Sequence, residues 1–200
     1  MEKWKGKYRI PSARAAWWDY ANDGGYFITI CTDHRRHFFG KCREGKMELS
    51  TAGAIVQGFW YEIPKHFPFV ELGAFVVMPN HVHGVLILEN DGRDDDGRDD
   101  DGRDEIGHCP ISNNDDDPRT PAQKRFRNQG KNTVSSIVGS FKSVCTKHIN
   151  LVFPEMEFGW QKLFWDNIIQ DEQAFQNITN YIITNPQNWE KDKFYPIEQV

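Results

Sequence analysis

The stretch Val76-Val77-Met78-Pro79-Asn80-His81-Val82-His83-Gly84-Val85-Leu86-Ile87-Leu88 organises the reading of this chain. Two apolar runs flank a polar centre. Phe69 to Met78 reads as one strand and His81 to Leu88 as the next. The short Pro79-Asn80 link predicts that they are antiparallel neighbours, with the histidines beside the turn. Side chains alternate across a strand, so His81 and His83 point to one face. Val82, Val85 and Ile87 already supply the apolar content of this strand. Two neutral imidazoles on a rigid strand can serve as metal ligands. The bland alternative is a pair of half-buried histidines, each satisfied by a backbone carbonyl.

Outward from this centre, Tyr26-Phe27-Ile28-Thr29-Ile30-Cys31-Thr32 is aromatic and β-branched, which predicts a strand. The polar cluster Asp33-His34-Arg35-Arg36-His37 follows, either touching DNA phosphate or forming a solvated turn. Ser50 is placed to cap a helix carrying Ala54, Ile55, Phe59, Trp60 and Ile63, ending near Pro64. Thr133 opens a second helix, with Val134, Ile137, Val138, Phe141, Cys145 and Ile149 on one face and Lys142, Lys147 and His148 on its polar side. Gly159 to Ile169 is aromatic and extended. Asp171 caps a last helix through Phe175, Ile178, Tyr181 and Ile182, stopped by Pro186. Tyr181 and Asn185, four residues apart, share a face of that helix. On residue pattern alone Tyr181 also fits a core-edge tyrosine with a satisfied hydroxyl.

Charge divides the chain. Its 200 residues carry a formal net charge of −5. The segment from Glu89 to Asp117 holds 13 acids against 3 arginines, leaving 21 basic and 16 acidic residues elsewhere, a body of +5. Asp91-Gly92-Arg93-Asp94-Asp95 recurs at 96–100 and, with a final Glu105, at 101–105, without one apolar residue. Such a tract buries nothing, so residues of about 89–132 are expected to be a disordered insertion in a single domain spanning 1–200. The repeat lacks the spacing of an EF-hand or a calcium-binding nonapeptide. The first 25 residues interleave Arg14, Trp17 and Trp18 with further lysines and rings. These either grip a phosphate backbone and stack bases or pack on the domain. Cys31, Cys42, Cys109 and Cys145 have no CxxC spacing and read as free thiols. No apolar run of membrane-spanning length occurs, and Met1-Glu2-Lys3-Trp4-Lys5 lacks an apolar signal core. A cytoplasmic protein with no membrane partner is expected.

Taken together, these stretches resemble the single-tyrosine HUH transposases, and among them the REP-associated tyrosine transposase branch. The resemblance is carried by Tyr26–Thr32, by Ala74-Phe75-Val76-Val77-Met78-Pro79-Asn80-His81-Val82-His83-Gly84, by Ser136-Ile137-Val138-Gly139-Ser140-Phe141-Lys142-Ser143 and by Tyr181-Ile182-Ile183-Thr184-Asn185-Pro186. It implies an α+β, ferredoxin-like antiparallel sheet with helices mainly on one face. His81 and His83 match the pair that binds Mg²⁺ or Mn²⁺, Asn185 matches a third metal ligand, and Tyr181 matches the nucleophile. The implied activity is cleavage and rejoining of single-stranded, hairpin-flanked DNA through a 5′-phosphotyrosine. Arg14, Trp17, Trp18, Arg35, Arg36 and Lys142 are candidate DNA contacts. Family members act as monomers or as homodimers that swap the tyrosine helix. Two features depart from the pattern: the Asp-Gly-Arg repeat, and Asn167 where relatives often carry His or Arg. Two other readings stay open. One is a hairpin-DNA-binding protein without catalysis. The other is a zinc-dependent hydrolase using His81, His83 and a third ligand such as His66 or His108.

Overall fold

A computed structural model describes residues 23–89 and 132–195. Arg14, Trp17, Trp18, His108 and the Asp-Gly-Arg repeat lie outside these residues, so the readings made on them carry no structural description.

The main sheet has four antiparallel strands. They are β1 (Gly24–Cys31), β4 (Val70–Met78), β5 (His81–Leu88) and β6 (Trp165–Ile169), in the order β4-β5-β1-β6. A separate hairpin pairs β2 (Gly40–Arg43) with β3 (Lys46–Leu49). The helices are α1 (Thr51–His66), α2 (Val134–Val152) and α3 (Glu172–Thr184). Leaving the hairpin aside, the chain runs β-α-β-β-α-β around an antiparallel sheet. This is the expected ferredoxin-like α+β fold.

Each helix begins where a side chain can satisfy an orphan amide. Ser50 Oγ accepts from Gly53 N at 3.1 Å, Thr133 Oγ1 from Ser136 N at 3.2 Å, and Asp171 Oδ1 from Ala174 N at 2.7 Å. Helix α1 runs two residues past Pro64. A proline in a last turn removes one amide but leaves the following residues helical.

Period-two alternation divides the sheet into two faces. Tyr26, Ile28, Ile30, Val82, Leu86 and Leu88 face α1 and α2 and build the main core with Val56, Trp60, Ile137 and Phe141. Trp60 stacks on Phe75 at 4.4 Å and meets Phe141 edge-on at 5.4 Å. Gly84 permits this packing, because a Cβ there would sit 2.3 Å from Trp60 Cζ2.

The opposite face is covered differently. Cys31 and Met78 pack beneath Trp189 and Phe194, and α3 lies over the strands with Ile182 as its one fully buried side chain. So two of the three helices share a face, and the third is on the side of the histidines. The expected apolar stripe on α3 is thinner than its periodicity implies, for Phe175 and Ile178 are only half-buried. Val85 and Ile87 share the histidine face by alternation, so that face is part apolar and part polar.

The β2–β3 hairpin has no counterpart in the sequence reading. Its signal was the Glu44-Gly45 pair, whose φ angles of 48° and 72° make a tight hairpin turn.

Candidate active site

The turn between β4 and β5 consists of Pro79 and Asn80 alone, with Met78 paired to His81. This tight turn puts both histidines at the sheet end. Loop 32–39 braces it: Thr32 N and Oγ1 both donate to Asn80 O, at 2.9 and 3.0 Å, and Phe39 N donates to Pro79 O at 3.1 Å.

His81 and His83 are almost wholly buried, and among the described residues the hydrogen bonds of both rings go to side chains. His81 Nδ1 lies 2.8 Å from Asn80 Oδ1, and His83 Nδ1 lies 2.8 Å from Thr29 Oγ1. Their Nε2 atoms face each other at 3.1 Å. Two bare lone pairs at that distance repel, so the pair is held either by a proton or by a cation.

Burial keeps both imidazoles neutral. His81 is pushed down to about 3, chiefly by burial and further by the positive charges of Lys193 and Arg35. His83 falls well below the ordinary histidine value, by burial and then by His81.

Helix α3 brings the tyrosine. Tyr181 Oη is 3.3 Å from His83 Nε2, and its ring packs edge-on to Phe27 at 6.0 Å and to His83 at 5.2 Å. The side chain is 41% exposed, so a ligand can reach the hydroxyl from solvent. Partial burial and the nearby Asp192 carboxylate raise its pKa to about 12.

One turn on, Asn185 is buried at the C-terminus of α3. Its Nδ2 donates to Asp192 Oδ2 at 3.2 Å, while its Oδ1 is buried with no hydrogen-bond partner among the described residues. A buried, unsatisfied amide oxygen on a side chain that bonds Asp192 suits a cation ligand.

Sequence reasoning missed Asp192. The 3-10 segment Asn185–Lys191 carries it back over the sheet, where Oδ2 accepts from Tyr181 Oη at 3.4 Å and Oδ1 accepts from Phe194 N at 2.7 Å. His81, His83 and Asp192 each offer one ligand atom, all within 4.8 Å of one another, a group able to hold a metal ion. Nothing in the sequence singled out Asp192, one acid among 29, because its place depends on the chain folding back after Pro186. His66 is not in this group.

The candidate DNA contacts are placed unevenly. Arg35 and Arg36 are exposed, with the Arg35 guanidinium 5.0 Å over the Phe194 ring, at the wall of the histidine site. Arg36 Nη2 donates to Glu157 O at 3.0 Å. Lys142 is half-buried, and its Nζ donates to Gln161 O at 2.7 Å and Lys162 O at 3.2 Å. Its ammonium ties α2 to the approach to β6. Asn167 pairs with Phe27 across β1 and β6, on the same face as the site.

The fold is that of a solved tyrosine transposase. A REP-associated tyrosine transposase, solved bound to a REP hairpin, superposes with a TM-score of 0.52 at 18% identity, over 90% of this chain and 77% of that one. A candidate transposase from Deinococcus radiodurans R1 matches with a TM-score of 0.43 at 14% identity, over 85% of this chain and 95% of that one. In sequence, an uncharacterized protein of Haemophilus influenzae is 31% identical over 191 residues, 95% of either chain. No family model matches. The chain belongs to one family with the Haemophilus influenzae protein, and its own fold is similar to that of the solved REP-associated tyrosine transposase. Among the described residues no helix is long and apolar enough to cross a membrane.

Proposed function

We propose that the protein is a metal-dependent transposase that cleaves and rejoins single-stranded DNA through Tyr181. One observation carries this reading: Tyr181 Oη lies 3.3 Å from His83 Nε2 and 3.4 Å from Asp192 Oδ2, and His81, His83 and Asp192 bring one ligand atom each within 4.8 Å of one another. The REP hairpin held by the structural neighbour supports hairpin DNA as the substrate class.

His81, His83 and Asp192, with Asn185 Oδ1 as a further donor, would hold a divalent cation, Mg²⁺ or Mn²⁺. Two imidazoles with a carboxylate and an amide oxygen form a mixed, mostly hard donor set of the kind Mn²⁺ accepts. Bound there, the cation supplies Lewis-acid polarisation of a phosphoryl oxygen.

The chain's own residues perform the remaining steps. Tyr181 Oη attacks the scissile phosphorus. The new Oη–P bond forms as the P–O3′ bond breaks, the tyrosine proton passes to solvent, and the departing O3′ takes up a proton. The product is a 5′-phosphotyrosine with a free 3′-hydroxyl. The linkage keeps phosphodiester energy, so a 3′-hydroxyl can reverse the step and join strands. At neutral pH the tyrosine is protonated, and Asp192 Oδ2 orients its hydroxyl. Arg35 and Lys193, both exposed and over the Phe194 ring at 5.0 and 4.8 Å, are described cations placed to meet the strand.

A denaturing gel with end-labelled single-stranded hairpin DNA, with Mn²⁺ or EDTA, tests the reading. The native chain forms a metal-dependent adduct that survives denaturation and retains only the downstream label. Tyr181→Phe forms none, while its DNA affinity on a native gel stays within about twofold, since one hydroxyl is a small part of a phosphate-dominated interface. Metal-dependent cleavage by Tyr181→Phe without an adduct would point instead to a metal-activated water and the hydrolase reading.

A further inference from the structure

Asn80 occupies half of a two-residue turn, a position that ordinarily faces solvent. Here it is 1% exposed, and its side-chain amide is fully engaged inside the chain. Nδ2 donates to Phe194 O at 2.9 Å. A carbonyl oxygen can only accept, so this bond fixes which way the amide points. Its Oδ1 is therefore the atom 2.8 Å from His81 Nδ1. That contact makes Nδ1 the protonated nitrogen of His81 and leaves the Nε2 lone pair directed at His83 and the cation position.

The second half of the network runs through Phe194. Its carbonyl is held by Asn80, and its amide donates to Asp192 Oδ1 at 2.7 Å. Its ring lies 4.6 Å from that of His81. One side chain thus touches a histidine at the strand start and, through a single residue's backbone, the carboxylate of the returning C-terminal segment. These two partners are 111 positions apart in the chain, and the bridge joins them on the side away from the ligand atoms that they bring within 4.8 Å of each other.

We propose that Asn80 is a positioning residue of the metal site, setting the His81 tautomer directly and the Asp192 carboxylate through the Phe194 backbone. The role rests on the reading of His81, His83 and Asp192 as metal ligands. Aspartate at this position would keep an acceptor against His81 Nδ1 but set a carboxylate oxygen against Phe194 O. Alanine would release both partners. The two variants therefore separate the two halves of the role.

The experiment uses the full chain, labelled with ¹⁵N-histidine for tautomer assignment by long-range ¹H–¹⁵N spectra, and titrated with Mn²⁺ by electron paramagnetic resonance. In the native chain His81 carries its proton on Nδ1. Asn80→Ala shows a mixed or reversed tautomer, and Mn²⁺ binds roughly 10- to 100-fold more weakly, the range for loss of a group that orients a ligand. Asn80→Asp keeps the Nδ1–H tautomer and still loses Mn²⁺ affinity, through Asp192. A native His81 protonated on Nε2 overturns the proposal without any variant, as does unchanged Mn²⁺ affinity in folded Asn80→Ala. If Asn80→Ala does not fold, the near-isosteric Asn80→Asp decides: unchanged affinity there overturns the Phe194–Asp192 half. A native chain that binds no Mn²⁺ while keeping the Nδ1–H tautomer overturns the metal reading and with it the positioning role. Metal binding with unaltered variants overturns this inference alone.

Discussion

The residues of the site are held in states that cost stability without a ligand. Neutral His81, pushed down to about 3, cannot take up a proton where it is buried, while in the unfolded chain it titrates near 6.5. A group whose folded pKa is depressed contributes fully above its unfolded value and loses that contribution as pH falls below it. The metal-free protein is therefore expected to lose stability from pH 6.5 downward. His81 alone accounts for on the order of 2 kcal/mol by pH 5. Urea titrations at pH 7 and pH 5 with EDTA check this, and a midpoint that does not move between them would show that the ring is solvated. Protons compete with the cation for the same nitrogens, so added Mn²⁺ should make the loss steeper. Asp192 carries a separate prediction. Asp192→Ala removes the carboxylate of the proposed metal site and the acceptor for both Tyr181 and Asn185 Nδ2. Mn²⁺ affinity measured by calorimetry is expected to fall at least tenfold. An affinity equal to the native one would remove Asp192 from the ligand set.

At the scale of elements, the active arrangement depends on two joints. One is the β4–β5 turn, which Pro79 and Asn80 make so short that the histidines begin the strand. The other is the start of α3. Its packing on the sheet is light, with Ile182 its only fully buried residue, so its cap carries more of its stability than in a well-packed helix. Asp171→Ala deletes the 2.7 Å bond to Ala174 N and should cost about 1 kcal/mol, seen as a lower Tm. Frayed ends of α3 also move Tyr181 from His83, so adduct yield should fall more than the stability loss alone explains. Gly84 is the corresponding weak point on the core face. Gly84→Ala forces a methyl into the Trp60 ring, and overpacking of this kind costs about 1–3 kcal/mol. A thermal melt indistinguishable from that of the native chain would mean that Trp60 can move aside.

For the whole molecule, charge is distributed against function. The segment 91–117 carries 12 acids and 3 arginines, so replacing it by a neutral Gly/Ser stretch of equal length takes the formal net charge from −5 to +4. No described strand, helix or site residue lies within it. Fold and Mn²⁺ affinity are expected to be unchanged, while single-stranded DNA binds more tightly at low salt, with the gain shrinking toward physiological salt as screening grows. Fluorescence anisotropy at two ionic strengths measures this. Equal affinities for both chains at low salt would show that the segment's charge does not reach the DNA.

Short-range chemistry was sufficient to reveal most of the elements. Strands β1, β4 and β5, the three helix caps and the His81–His83 pair follow from alternation, capping residues and a turn too short to be anything but a hairpin. Tyr181 and Asn185 were legible as helical neighbours, since four residues on a helix always share a face. Only the tertiary structure decided which face of the sheet α3 covers, and so which histidine meets the tyrosine. Packing across 98 positions sets that contact, and no local pattern encodes it. It also supplied Asp192, bonded Lys142 to two carbonyls, and made Asn80 a buried bridge. A side chain's partners at long range depend on where the chain returns, whereas its own propensities are the same in every fold.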